Sequence, residues 1–135
     1  MRLRIELTLP PQGTNPNARV HWRKKARDVR DYRWQTALVT RSLLNETGCK
    51  RPRWERAIVQ VTYCQVRRPL RDTDNIIASL KSAFDGLVDA GLLSDDRDVT
   101  YLPVIREISN QPGVILEVWK DTRKVGKVLR GDEGI

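Results

Sequence analysis

The sequence predicts a single α+β domain, a small mixed sheet with two helices packed on it, in the order β-α-β-α-β-β. Three observations lead there. Residues Arg2 to Leu9 alternate apolar and polar side chains, with Leu3, Ile5, Leu7 and Leu9 at period two, the pattern of a strand buried on one face. Two later segments change to helical spacing, and runs rich in β-branched residues separate and follow them. With 135 residues and 39% hydrophobic composition, the chain has material for one core, which places both helices against one sheet.

Taken in order, Pro10 and Pro11 end the first strand, and Gln12 to Trp22 (QGTNPNARVHW) carry the turn chemistry of a surface loop. From Arg23 to about Asn45 the spacing predicts a long helix with a basic first half, and Gly48 stands as its stop signal. Ala57 to Val66 (AIVQVTYCQV) reads as the second strand, and Arg67, Arg68, Pro69 and Arg71 form a basic connection after it. The clearest helix spans Thr73 to Gly91, where Ile76, Leu80, Ala83 and Leu87 recur at helical intervals and Ile77, Phe84 and Val88 widen the stripe. The acidic SDDRD loop (Ser94 to Asp98) precedes strands expected at Thr100 to Ile108 and Val114 to Trp119, linked by the turn-like SNQPG. Residues 1–119 make the expected domain. The charged tail 120–135, with Gly126, Gly131 and Gly134, lacks apolar periodicity and is expected to fray or be disordered.

Lysine and arginine number 25 against 17 acidic residues, for a net charge of +8. At a pI near 10.0 the chain attracts polyanions, and nucleic acid is the expected partner. The two cysteines, Cys49 and Cys64, form no CxxC and no Cys/His cluster, so neither a disulfide framework nor a structural zinc site is encoded. The opening residues alternate charge and hydrophobe where a signal peptide needs a continuous apolar stretch, and no run approaches the ~18 apolar residues of a membrane span. A cytoplasmic protein without membrane attachment is the expectation.

The segment Arg71 to Asn75 (RDTDN) sets two carboxylates two residues apart between a strand and a helix, and Asp95 and Asp96 follow that helix. A hard cation such as Mg²⁺ takes a few carboxylate oxygens and completes its shell with water and substrate phosphate. Asp72 and Asp74 in an extended segment would point to one side together. Each feature also has a plainer reading, since aspartate before a helix is a common N-cap and DDRD an ordinary solvated turn. Acid concentrated at both ends of one helix in a basic chain is what a nuclease requires, because metal needs negative ligands and DNA a positive field.

The string RRPLRDTDN, then KSAFDGL at Lys81 to Leu87 and AGLLSDD at Ala90 to Asp96, resembles the RusA family of phage and prophage Holliday-junction resolvases. Upstream, Leu9 to Pro11 with Asn15, Asn17 and the HWR at His21 to Arg23 is similar to that family's opening loop, so the likeness spans about Leu7 to Val118. The resemblance implies an endodeoxyribonuclease with a RusA-like fold, in which Asp72, Asp74 and Asp96 bind catalytic Mg²⁺. It implies paired symmetric nicks in four-way junctions by a homodimer, leaving 5′-phosphate and 3′-hydroxyl ends. Lys81 matches the family's functional lysine by its context, although five residues, Ile76 to Leu80, separate it from Asn75 where the family pattern has two. On one continuous helix Asp74 and Lys81 would share a face about 10 Å apart along the axis; if the extra residues precede the helix, Lys81 lies nearer. Its plainer reading is an exposed partner of Asp85 at i+4.

Arg67, Arg68 and Arg71 adjoin the acids as candidate phosphate contacts, and Arg23, Lys24, Lys25, Arg27 and Arg30 extend the basic surface. Asn15 and Asn17 suit either DNA contact or their own turn. The single histidine, His21, reads as a buried or stacking residue beside Trp22, Asp95 as a turn residue, and Trp34, Trp54 and Trp119 as core or interface. Two rivals share these features: a non-catalytic DNA-binding module of the same fold, and a nuclease for other branched DNA such as flaps or forks. Affinity for DNA is expected to fall steeply with salt, with a log-log slope near −0.9 per phosphate contacted on duplex arms. Titrations at several salt concentrations measure that slope, and a flat line would show that charge does not drive binding.

Overall fold

The computed structural model of the chain describes residues 1–95 and 97–123. Its elements are β1 (Arg2–Leu7), α1 (Trp22–Thr47), β2 (Ala57–Gln65), α2 (Thr73–Ser79), α3 (Lys81–Asp89), β3 (Val99–Tyr101), β4 (Ile105–Ile108) and β5 (Gly113–Lys120). The α+β expectation holds: one five-stranded mixed sheet runs β1-β5-β2-β3, with β4 also beside β2. β5 pairs antiparallel with both β1 and β2, whereas β3 and β4 run parallel to β2.

Alternation sorts the sheet's faces. Leu3, Ile5 and Leu7 of β1, Val59 and Val61 of β2, and Val114, Leu116 and Val118 of β5 are buried together. Ile76, Leu80, Phe84 and Leu87 join the same cluster from the helices, so the helices cover one face of the sheet as a second layer.

Two segments read as single elements are each broken. The helix expected over Thr73 to Gly91 divides at Leu80, whose φ of −95° and ψ of 2° interrupt the turn between α2 and α3. Ile76, Leu80, Ala83 and Leu87 are nevertheless all buried, so the apolar stripe stays in phase across the break and periodicity alone could not reveal it. The strand expected over Thr100 to Ile108 divides at Leu102 to Val104. Val59 is opposite Tyr101 while Thr62 is opposite Ile105, so three residues face two and the ladder carries a bulge. Pro103 has no N–H to give the ladder, and its carbonyl instead accepts from Gln60 Nε2 at 2.7 Å.

α1 ends where the sequence marked it, at Gly48, left-handed with φ 79°. It crosses α3 at Gly86, where an added Cβ would lie 2.5 Å from the Arg33 carbonyl oxygen and 2.9 Å from Thr36 Cβ. At the far end of β5, Lys120 belongs to the strand and Asp121 is buried. Hydrogen bonds from Arg123 are the main cause that holds the Asp121 carboxyl down at about 2, with further lowering from Arg56. No helix of the described residues is long and apolar enough to cross a membrane. Replacing Gly86 with alanine is expected to push α1 from α3 and cost ~1–3 kcal/mol, seen as a lower urea midpoint. An unchanged midpoint would mean that the helices have room to part.

Candidate nucleic-acid and metal interface

The loop that carries the paired aspartates is built from the end of β2. Gln65, its last residue, accepts from the Arg71 backbone N–H at 3.0 Å and donates from Nε2 to the Pro69 carbonyl at 2.8 Å and to the Arg67 carbonyl. One amide side chain thus closes residues 65–71 into a compact turn, with a cis peptide between Arg68 and Pro69. Arg71 turns inward, with Nη1 donating to the Tyr63 hydroxyl at 3.2 Å and Nη2 to Ser79 Oγ at 3.0 Å. Its guanidinium therefore ties the turn to β2 and to the end of α2. Arg71 is a positioning residue for the acids, whereas Arg67 and Arg68 stay exposed with no hydrogen bond or ion pair from their side chains among the described residues.

Asp72 occupies the N-cap position of α2 and Asp74 lies in its first turn, so the two are not the extended pair expected. The N-cap alternative also fails in its usual form: the Asp72 carbonyl accepts from Ile76 N–H at 3.0 Å, yet its carboxylate caps nothing. Both carboxylates are exposed and, among the described residues, make no hydrogen bond or ion pair. In a chain with 25 cationic side chains, two exposed carboxylates two residues apart, unpaired among the described residues, offer hard oxygen donors of the kind a cation that keeps several waters takes. The third expected ligand, Asp96, lies outside the described residues. No group of three histidine, cysteine or acidic residues placed to hold a metal occurs among the described residues.

Within the acidic loop, Asp95 accepts from the Arg97 backbone N–H and from Arg97 Nε, both at 2.9 Å, and is a turn residue as read. The Asp98 carbonyl accepts from Ala57 N–H at the start of β2. Lys81 begins α3, neither on one helix with Asp74 nor beyond a non-helical insertion. Its ammonium lies 3.0 Å from Asp85 Oδ1, the i+4 pairing that the sequence offered. Arg33 also reaches across from α1, with a two-bond contact to Asp89 that is the main cause lowering that carboxyl and raising the Arg33 guanidinium.

The basic residues of α1 divide. Lys24 is committed to Asp28 at 2.6 Å, and Lys25 donates to the Pro16 carbonyl at 3.0 Å. Lys24, ahead of the Gly13 N–H, holds the Asp28 carboxyl below its usual range. Arg23 lies over Trp22, and Arg27 and Arg30 are exposed. Asn15 accepts from Asn17 N–H at 2.9 Å, the reading in which it stabilises its own turn. His21 is exposed; it stacks on Trp22 and caps α1 through Nδ1, which accepts from Arg23 N–H at 3.1 Å. Trp54 is buried as expected and Trp119 lies beneath Arg2, but Trp34 is 66% exposed and belongs to no core of this chain. Gln65 and Ser79 were missed by sequence reasoning, because polar residues at a strand end and a helix end give no signal of a partner six or eight residues away.

A protein of Xylella fastidiosa (strain Temecula1), described as uncharacterized, is 27% identical over 114 residues, covering 84% of this chain and 74% of that protein. No family model matches the chain. Replacing Gln65 with alanine removes the acceptor for Arg71 N–H and both donors to the turn. A loss of ~1–2 kcal/mol is expected, because water recovers part of each bond, together with faster exchange of the Arg71 amide proton. An Arg71 amide that exchanges at the parent rate would remove Gln65 from this role.

Proposed function

We propose that this chain is a Mg²⁺-dependent endodeoxyribonuclease that acts on branched DNA, with the four-way junction as substrate and a homodimer as the working unit. The observation that carries the reading is the pair of exposed, unmatched carboxylates, Asp72 and Asp74, beside the basic turn of Arg67 and Arg68. Negative ligands with no cation of their own among the described residues, set within a chain of net charge +8, are what metal-assisted phosphodiester hydrolysis asks of a protein. The RusA resemblance supplies the substrate class and adds Asp96 as a third ligand.

In this reading Asp72, Asp74 and Asp96 would hold the ion. Bound Mg²⁺ would polarise the scissile phosphate and favour ionisation of the attacking water. Arg67 and Arg68 contact phosphate oxygens on the flanking backbone, where their charge offsets that of the strand. Arg71 keeps the turn against β2 so that both carboxylates stay at the start of α2. Lys81, held by Asp85, contributes positive charge near the start of α3. A junction offers two symmetry-related strands, so a two-fold dimer with one acidic site per subunit accounts for paired nicks.

The Asp74→Asn variant is expected to lose Mg²⁺-dependent cleavage while binding junction DNA as well as the parent or better. Asparagine keeps shape and one oxygen ligand but removes the charge that holds the ion, and it lessens repulsion of phosphate. Asp72→Asn and Asp96→Asn share that split, whereas Asp98→Asn stays active. Single-turnover cleavage with Mg²⁺ or EDTA measures it. Full cleavage by folded Asp74→Asn would remove the site, and binding by the parent without any cleavage would leave the non-catalytic module.

A further inference from the structure

A cleft of about 400 Å³ lies between the loop that precedes α1, the first half of α1, and the junction of α2 with α3. Ala26, Val29 and Ala78 supply apolar surface to it, and Lys25 and Lys81 bring two ammonium groups against the single carboxylate of Asp85, which lines it beside Lys81. Ser82 also lines it. That residue is only 3% exposed, and its hydroxyl is buried without a hydrogen-bond partner, which leaves a polar group whose desolvation nothing offsets. At the next turn of α1 toward its start, on the stripe of Ala26, Trp22 is 67% exposed with Arg23 beside its ring. Apolar surface, a hydroxyl and paired ammonium groups form a set that fits a flat heterocycle joined to an anion.

We infer that this cleft takes a single unpaired nucleotide of the DNA, base against Ala26, Val29 and Ala78 and phosphate between Lys25 and Lys81. The inference rests on the branched-DNA reading, since a base is extruded at least cost where it is not already held in an intact paired stack, and a branch point interrupts the stack. The cleft is too small for a duplex. Charge complementarity selects a nucleotide over a neutral apolar ligand, and the Ser82 hydroxyl would gain a partner on the base or sugar. Trp22 then stacks on the neighbouring base, since every base offers a π-face.

A four-way junction with 2-aminopurine at its branch point, studied in EDTA to prevent cleavage, tests this. Binding should raise the 2-aminopurine emission severalfold as the base leaves its neighbours. Ala26→Leu and Ala78→Leu, which fill the cleft from two different helices, should abolish that rise while gel retardation of the junction persists. Circular dichroism checks that both variants are folded, and Ser82→Ala serves as a milder third variant if either is not. Retardation with no rise, or a rise that survives in the folded variants, would overturn the inference and leave the branched-DNA reading intact. Failure to retard the junction at all would overturn that reading instead, and a short single strand bearing the same 2-aminopurine then decides. A change in its emission that the filled cleft abolishes supports the nucleotide site, and no change refutes it.

Discussion

Strand β2 is paired along both edges, with β5 on one side and β3 and β4 on the other, and the turn before the paired aspartates and the end of the acidic loop are both held from it. Its start, Ala57, donates its N–H to the Asp98 carbonyl and so fixes where the acidic loop ends. Tyr63 and Gln65, near its other end, hold Arg71 through side-chain bonds and so fix where the paired aspartates begin. A central strand suits this task because its backbone groups are satisfied on both sides and cannot shift register without moving a buried face.

The second constraint is the close approach of α1 and α3 at Gly86. It brings the basic first half of α1 beside the α2–α3 junction, and Arg33 bonded to Asp89 joins the same two helices. The cleft lined by Lys25 and Lys81 lies between these helices. The fixed helix spacing and the unfilled volume thus belong to one arrangement.

Charge is distributed unevenly among the acids. Asp28, Asp85, Asp89, Asp95 and Asp121 each have a cationic partner, and the Asp121 carboxylate is itself buried. Asp72 and Asp74 have none among the described residues. Exposed ion pairs contribute little to stability, so the contrast says little about folding. Glu46, Glu55, Asp98 and Glu107 also lack an ion pair among the described residues, so what sets Asp72 and Asp74 apart is their place two residues from each other at the start of α2, next to the basic turn, where the proposed ion would sit.

Period-two and helical spacing determined the α+β class, the buried faces of β1, β2 and β5 and the stripe of Ile76, Leu80, Ala83 and Leu87, because burial on one side of an element imposes its period on the sequence. Gly48 marked the end of α1 for an equally local reason, the left-handed backbone it adopts. The paired aspartates and the basic turn before them were legible as composition and order. Tertiary structure alone decided the rest. The break at Leu80 keeps the apolar stripe in phase, and the bulge at Leu102 to Val104 depends on β2 as a partner. The inward turn of Arg71 depends on Tyr63 and Ser79, and the outward exposure of Trp34 on what packs around α1. A sequence records which side of an element is buried, but a long polar side chain chooses among partners that only the folded chain brings within reach.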